Sequence, residues 1–297
     1  MSEHHHNHNV SGKNLFITIV LNLIITLSQI VGGILSGSLA LLSDALHNFS
    51  DVLALVLTYW TNKIANRDKN NYKTFGYKRA EILATLFNSA TLIGIAIYLI
   101  IESIEKFINP QSVDSVLVIA LGVLSIILNA VSVLLVKDDA KENMNVKAAY
   151  LHLLTDVMTS IAVVGGGLLI YYFDLFWVDP LISLLIAFYL IKMSYTLLIE
   201  SINILMQGAP ANIDIQKIKK GVEEFEEVSN IHHLHIWRLN DHDIHLEAHI
   251  DFKDNLLLKD ANSISLKIEE YLQSNYHISH ITLQAEYDSC DNKNLLY

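Results

Sequence analysis

Apolar residues in this 297-residue chain gather in long unbroken runs. Residues 14–43, 82–101 and 115–136 contain no Asp, Glu, Lys or Arg. A bilayer-spanning helix needs about 20 apolar residues, so each run is long enough to cross. Segments 39–62, 145–173 and 180–205 qualify too, although each carries a few ionisable groups. The pattern predicts six membrane-spanning helices and excludes a soluble enzyme built on one large core. The first run follows Lys13, is too long for the apolar part of a signal sequence and ends in no small-residue cleavage pattern. It is read as a retained helix.

After Pro210 the period changes. Residues 214–227 place Ile215, Ile218, Val222 and Phe225 on one helical face. Residues 231–239 and 244–252 alternate like strands around a turn at Asn240-Asp241. A helix over 259–275 and a strand over 279–287 complete the order. The expected fold is an α-helical membrane protein of six helices, followed by a small α+β domain in the ferredoxin-like αββαβ order. The expected division is a His-rich arm at 1–13, a six-helix transport domain at 14–207 and a tail domain at 208–297.

Composition alone decides less, since 52% apolar is only slightly above a soluble average. Charge is informative by location. Of the net charge of −11, most sits in residues 208–297, with 16 Asp and Glu against 8 Lys and Arg. An acidic tail argues against nucleic acid, which needs a basic footprint. Lys and Arg mark the cytoplasmic side of short loops. Segment 63–79 carries six of them and 137–147 carries Lys137, Lys141 and Lys147, whereas 36–43 and 172–179 carry none and 102–114 only Lys106. Six spans with that alternation put both termini in the cytoplasm. One cysteine, Cys290, excludes an intramolecular disulfide and a metal site of four cysteines from one chain. A GxxxxGK[ST] loop is absent, so no nucleotide is expected.

The chemistry lies in the histidines. Of fourteen, four fall in the first eight residues, eight in the tail, and only His47 and His152 in the membrane part. His47 is followed four residues later by Asp51, and His152 by Asp156. Residues four apart stand one above the other on a helix face. An aspartate at the bilayer centre costs roughly 2.5–3.5 kcal/mol by insertion scales and marks function by default. Zinc takes four ligands tetrahedrally, His nitrogen and carboxylate oxygen among them, and two such helices supply four. The bland alternative, two isolated hydrogen bonds inside a bundle, has to occur twice at one spacing. Asp44 shares the face of His47 and Asp51, with a helix-start, access or metal-contact role. Metal binding needs neutral imidazole and ionised carboxylate, so protons compete with metal at such a site. A site facing each side in turn would carry zinc one way and protons the other.

The stretches GSLALLSDALHNFSDVLALVLTYW, KTFGYKRAEILATLFN and AAYLHLLTDVMTS resemble the cation diffusion facilitator family, in particular its zinc-exporting, cobalt–zinc–cadmium resistance branch. The likeness covers nearly the whole chain. It implies a homodimer in a bacterial inner membrane that exchanges cytoplasmic divalent metal for protons, with His47, Asp51, His152 and Asp156 as transport site. In that family two His and two Asp go with zinc. The resemblance also matches His232, His249 and Glu286 to the cytoplasmic ligands of vertebrate vesicular zinc carriers, where a short N-terminal motif of the partner chain completes the set. His4, His5, His6 and His8 could supply it, and zinc held there would be structural or regulatory. The alternative for the tail is that surface histidines on a small sheet are merely polar.

Some bacterial relatives hold a further metal between helices two and three. Here Asp68 stands with Asn70, Lys73 and Tyr77, so none is expected, and the basic run Lys73–Arg79 reads as topogenic and lipid-facing. His235 reads as structural or as a second-site ligand, and His233, His242, His245, His277 and His280 as solvated or auxiliary. Gly32, Gly33 and Gly165–Gly167 read as sites of close helix approach or bending rather than of binding. Competing functions are a broad cadmium, cobalt and zinc exporter, a membrane metal sensor and a passive zinc channel. An intramembrane metalloprotease lacks the HExxH helix it would want.

Overall fold

The computed structural model describes residues 12–65, 67–137, 144–241, 243–288 and 294–296. His4, His5, His6, His8, His242 and Cys290 lie outside them. Six long helices come first: α1 (Gly12–Ser36), α2 (Leu39–Ala65), α3 (Ala80–Ile108), α4 (Ser115–Val136), α5 (Met144–Phe173) and α6 (Val178–Leu205). At about 1.5 Å per residue, even the shortest of these is long enough for a hydrocarbon core of about 30 Å. Among the described residues α3, α4, α5 and α6 each hold a stretch long and apolar enough to cross a membrane. The chain forms two compact units, one of Phe87–Leu197 with the chain up to Tyr59, the other of Trp60–Leu86 with the chain from Leu198 onward.

The first unit is held by close helix approach and by polar caps. The long first run breaks at Gly37, whose φ of +69° suits a residue without Cβ. The start of α2 is then capped from another helix. Asp179, in the first turn of α6, accepts from the backbone N–H of Leu39 at 2.7 Å and of Ala40 at 3.3 Å, and from the Ser38 hydroxyl. A carboxylate there meets the positive end of the helix dipole. Helix approach runs through glycine. A Cβ on Gly33 would stand 3.1 Å from the Leu42 backbone nitrogen, and one on Gly167 2.9 Å from Ile119 Cγ1. Gly32 and Gly166 are similarly crowded, by Leu121 and Ile182, whereas Gly165 has nothing within 4 Å. Close approach is therefore seen at four of the five positions.

In the second unit the tail folds as α7 (Ile215–Glu223), β1 (Val228–Arg238), β2 (Ile244–Phe252), α8 (Leu258–Tyr276) and β3 (His280–Glu286). The sheet order is β1-β2-β3, with β1 antiparallel and β3 parallel to the central β2. Leu246, Ala248 and Ile250 on β2 join Ile218 and Val222 of α7 and Ile268 and Leu272 of α8 in one core. Alternation therefore puts His245, Glu247, His249 and Asp251 on the opposite face. Their β3 partners are His280, Thr282, Gln284 and Glu286. The result is a polar, histidine-rich outer face with two distinct ends.

Candidate metal centre

His47 and Asp51 sit one turn apart on α2, and His152 and Asp156 one turn apart on α5. The two pairs meet. His47 Nδ1 is 3.7 Å from Asp51 Oδ2, and His47 Nε2 is 3.5 Å from Asp156 Oδ1. His152 Nε2 is 3.1 Å from Asp51 Oδ2 and 3.9 Å from Asp156 Oδ2. One ligand atom from each residue lies within 4.8 Å of all the others. Both His47 nitrogens, Asp51 Oδ2 and Asp156 Oδ1 are buried without a hydrogen-bond partner among the described residues. Leaving that many polar atoms buried and unpaired is costly unless something binds between them. A divalent cation at the centre satisfies all four groups at once, since imidazole and carboxylate suit zinc.

The cluster is lopsided. His47 and Asp156 are buried, whereas the side chains of Asp51 and His152 keep 25% and 30% of their surface open. The Tyr189 ring of α6 stands edge-on to His47 at 6.2 Å.

Asp44 does not join the cluster. Its Oδ2 accepts from Gln29 Nε2 of α1 at 2.6 Å and from the Ser160 hydroxyl at 3.2 Å, and its Oδ1 from the Thr159 hydroxyl at 2.8 Å. Gln29 Oε1 accepts from Asn48 Nδ2 at 3.1 Å, and the Ser160 hydroxyl lies 2.9 Å from that of Ser125 on α4. A polar network thus ties four helices together beside the cluster. Heptad-like spacing of Asp44 with His47 and Asp51 was visible in the sequence, but its partners lie on two other helices, α1 and α5, and carry no local signal.

At one end of the tail sheet a second cluster forms. His232 Nε2 is 3.3 Å from Glu286 Oε2, and His249 Nδ1 is 2.8 Å from Glu286 Oε1. Ligand atoms of these three residues also lie within 4.8 Å of one another. His232 and His249 are direct cross-strand partners, while Glu286 ends β3 opposite Asp251. Burial holds the His232 imidazole below its ordinary pKa, against the opposing pull of Glu286, which favours its neutral form. A bulge in β1 between His232 and His235, with His233 at φ +48°, brings the His233 ring to 4.7 Å from that of His249. His235 is exposed and lines a shallow cleft with Glu247 and His249. His245, expected to be solvated or auxiliary, is not solvated but buried at the other end of the sheet.

The sequence pattern of the cation efflux transmembrane domain matches residues 15–206, and that of the cytoplasmic domain of cation efflux proteins matches residues 210–288. The chain is similar to a cadmium, cobalt and zinc/H(+)-K(+) antiporter of Bacillus subtilis, 35% identical over 99% of this chain and 94% of that protein. It is similar to the zinc transporter ZitB of Pectobacterium atrosepticum, 34% identical over 97% of this chain and 90% of that one. The metal cation efflux system protein CzcD of Cupriavidus metallidurans is 31% identical over 96% of this chain and 91% of its own length.

Proposed function

The chain belongs to the cation efflux family, and we propose that it exports divalent metal, chiefly zinc, from the cytoplasm in exchange for protons at His47, Asp51, His152 and Asp156. The observation that carries this reading is the convergence of two His-Asp pairs from α2 and α5, with their buried ligand atoms otherwise unpaired. Metal can bind only when both imidazoles are neutral and both carboxylates ionised, so a proton-rich side unloads the site and a proton-poor side loads it. The lopsided exposure suits such a cycle: Asp51 and His152 meet the incoming ion, and His47 and Asp156 complete its shell in the dry interior. The ligand set does not exclude other transition metals by affinity, because binding strength follows the Irving–Williams order rather than biological need. Cadmium and cobalt named for relatives are therefore secondary substrates in this proposal.

The proposal places both termini in the cytoplasm of a bacterial inner membrane, with the transport domain at 14–207 and the tail at 208–297. It makes the tail the contact of a homodimer, binding zinc through His232, His249 and Glu286, completed by His4, His5 or His6 of the His-rich arm at 1–13. The passive-channel reading uses the same ligands and differs only in coupling.

Zinc uptake into proteoliposomes under an imposed pH gradient tests the reading, comparing the native protein with Asp51→Ala and Asp156→Ala. Gradient-driven uptake lost in both variants is the expected result. Uptake indifferent to the gradient would establish a channel, and no uptake alongside zinc binding by the tail would favour a sensor.

A further inference from the structure

The end of the tail sheet remote from His232 closes against the loop that joins α2 to α3. Lys78 of that loop lies 2.6 Å from Asp243, just before β2, and the Phe75 ring stands edge-on to His245 at 5.6 Å. The basic run therefore does not simply face lipid. Together these segments enclose an open cavity of about 310 Å³, with Lys69, Thr74, Lys78, Asp243, His245 and His280 on its wall.

His245 makes the cavity a built site. Only 7% of its surface is exposed, and its Nδ1 is buried with no hydrogen-bond partner among the described residues. Its ring is fixed by stacking on Trp237 at 5.4 Å and by contact with His280 at 4.9 Å, so it has little freedom to seek a partner elsewhere. His245 thus lines the cavity while one of its polar atoms stays buried and unpartnered among the described residues.

The surrounding charge selects the ligand's sign. Burial lowers the pKa of His245, and His280, Lys78 and Lys69 push the same way, with Asp243 alone opposing. A metal ion entering here would meet two ammonium groups, and the one carboxylate of the wall is already engaged by Lys78. An anion meets the reverse: Lys69 is free of any carboxylate partner in the described ion pairs, and each imidazole can offer an N–H. The loop also joins two helices read as membrane-spanning, where phosphate-bearing headgroups are abundant.

We propose that this cavity binds a phosphate-type anion, either free phosphate or the headgroup of an anionic phospholipid, through Lys69, Lys78, His245 and His280. Such an ion would fasten the α2–α3 loop to β2 and β3 and would draw Lys78 away from Asp243. The site is separate from the metal ligands, so the proposal stands or falls independently of zinc transport.

The test uses the full-length protein in phosphatidylcholine nanodiscs. One arm titrates inorganic phosphate, with binding read by calorimetry. The other adds phosphatidylglycerol to the discs and reads lipids retained by the released protein in native mass spectrometry. Lys69→Gln, an exposed change that leaves the fold intact, and His245→Gln are compared with the native chain, with bound zinc and thermal midpoint as controls. The expected result is saturable binding of one probe, weakened about tenfold or more in both variants while bound zinc is unchanged; which probe responds identifies the source. Binding of neither probe, or binding equal in native protein and Lys69→Gln, overturns the proposal. So does cobalt bound with the spectrum of an imidazole complex and lost on His245→Gln, because that cavity then takes a cation.

Discussion

Thr159 on α5 and Asp44 on α2 are joined by a 2.8 Å hydrogen bond, and the same hydroxyl lies 2.9 Å from the backbone oxygen of Asp156. Asp44 is thereby fastened to the turn of α5 that carries a proposed metal ligand. We expect it to act as a positioning residue rather than a ligand. Replacing it by alanine leaves Gln29, Thr159 and Ser160 with fewer acceptors in a buried setting, at about 1–3 kcal/mol for each group left unsatisfied. We expect Asp44→Ala to lower the thermal midpoint in detergent markedly. Asp44→Asn, which keeps one acceptor oxygen, falls between. Zinc affinity of the folded fraction should drop less in either than in Asp156→Ala. Affinity lost in full with an unchanged midpoint would instead make Asp44 a ligand.

Much of this was legible in the sequence because local spacing carried it. His47 with Asp51 and His152 with Asp156 each announce a shared helix face, and alternation from Ile244 to Phe252 announces a strand with one polar side. What spacing cannot show is which face meets which. The partners of Asp44 lie fifteen residues away at Gln29 and more than a hundred away at Thr159 and Ser160, so no window reveals them. His245 misled for the same reason: it occupies an outward position of β2, and only the packing of Trp237, Phe75 and His280 around it buries the ring. The β1 bulge that aims His233 at His249 likewise rests on a backbone angle that the run NIHHLHIW does not advertise.

The tail cluster makes a prediction of its own. His232 and His249 share Glu286, and among the described residues no hydrogen bond satisfies Glu286 Oε2 or the His232 nitrogens. If zinc fills that gap, the double variant His232→Ala with His249→Ala should bind one zinc fewer per chain by elemental analysis of the full-length protein. Dimer dissociation on dilution should become easier, while some pH-driven zinc flux persists. An unchanged zinc count would remove metal from the tail, and loss of folded protein would make the site structural.

Helix spacing near the His-Asp cluster yields the last prediction. A methyl on Gly33 meets the Leu42 backbone nitrogen at 3.1 Å and its Cα at 3.2 Å, and backbone cannot rotate aside as a side chain can. Gly33→Ala must therefore push α1 from the start of α2, the helix that carries His47 and Asp51. Overpacking of this kind costs about 1–3 kcal/mol. Gly165 offers the control, since it is helical and an added Cβ there meets nothing within 4 Å. Gly165→Ala should gain about 0.5–1 kcal/mol from helix propensity alone. Thermal unfolding of the two variants in one detergent should thus move in opposite directions, down for Gly33→Ala and up for Gly165→Ala. Zinc flux should fall only in the first, because displacing α2 separates its ligand pair from that of α5. A shift of the same sign in both would mean that close approach at Gly33 does not set the spacing of these helices.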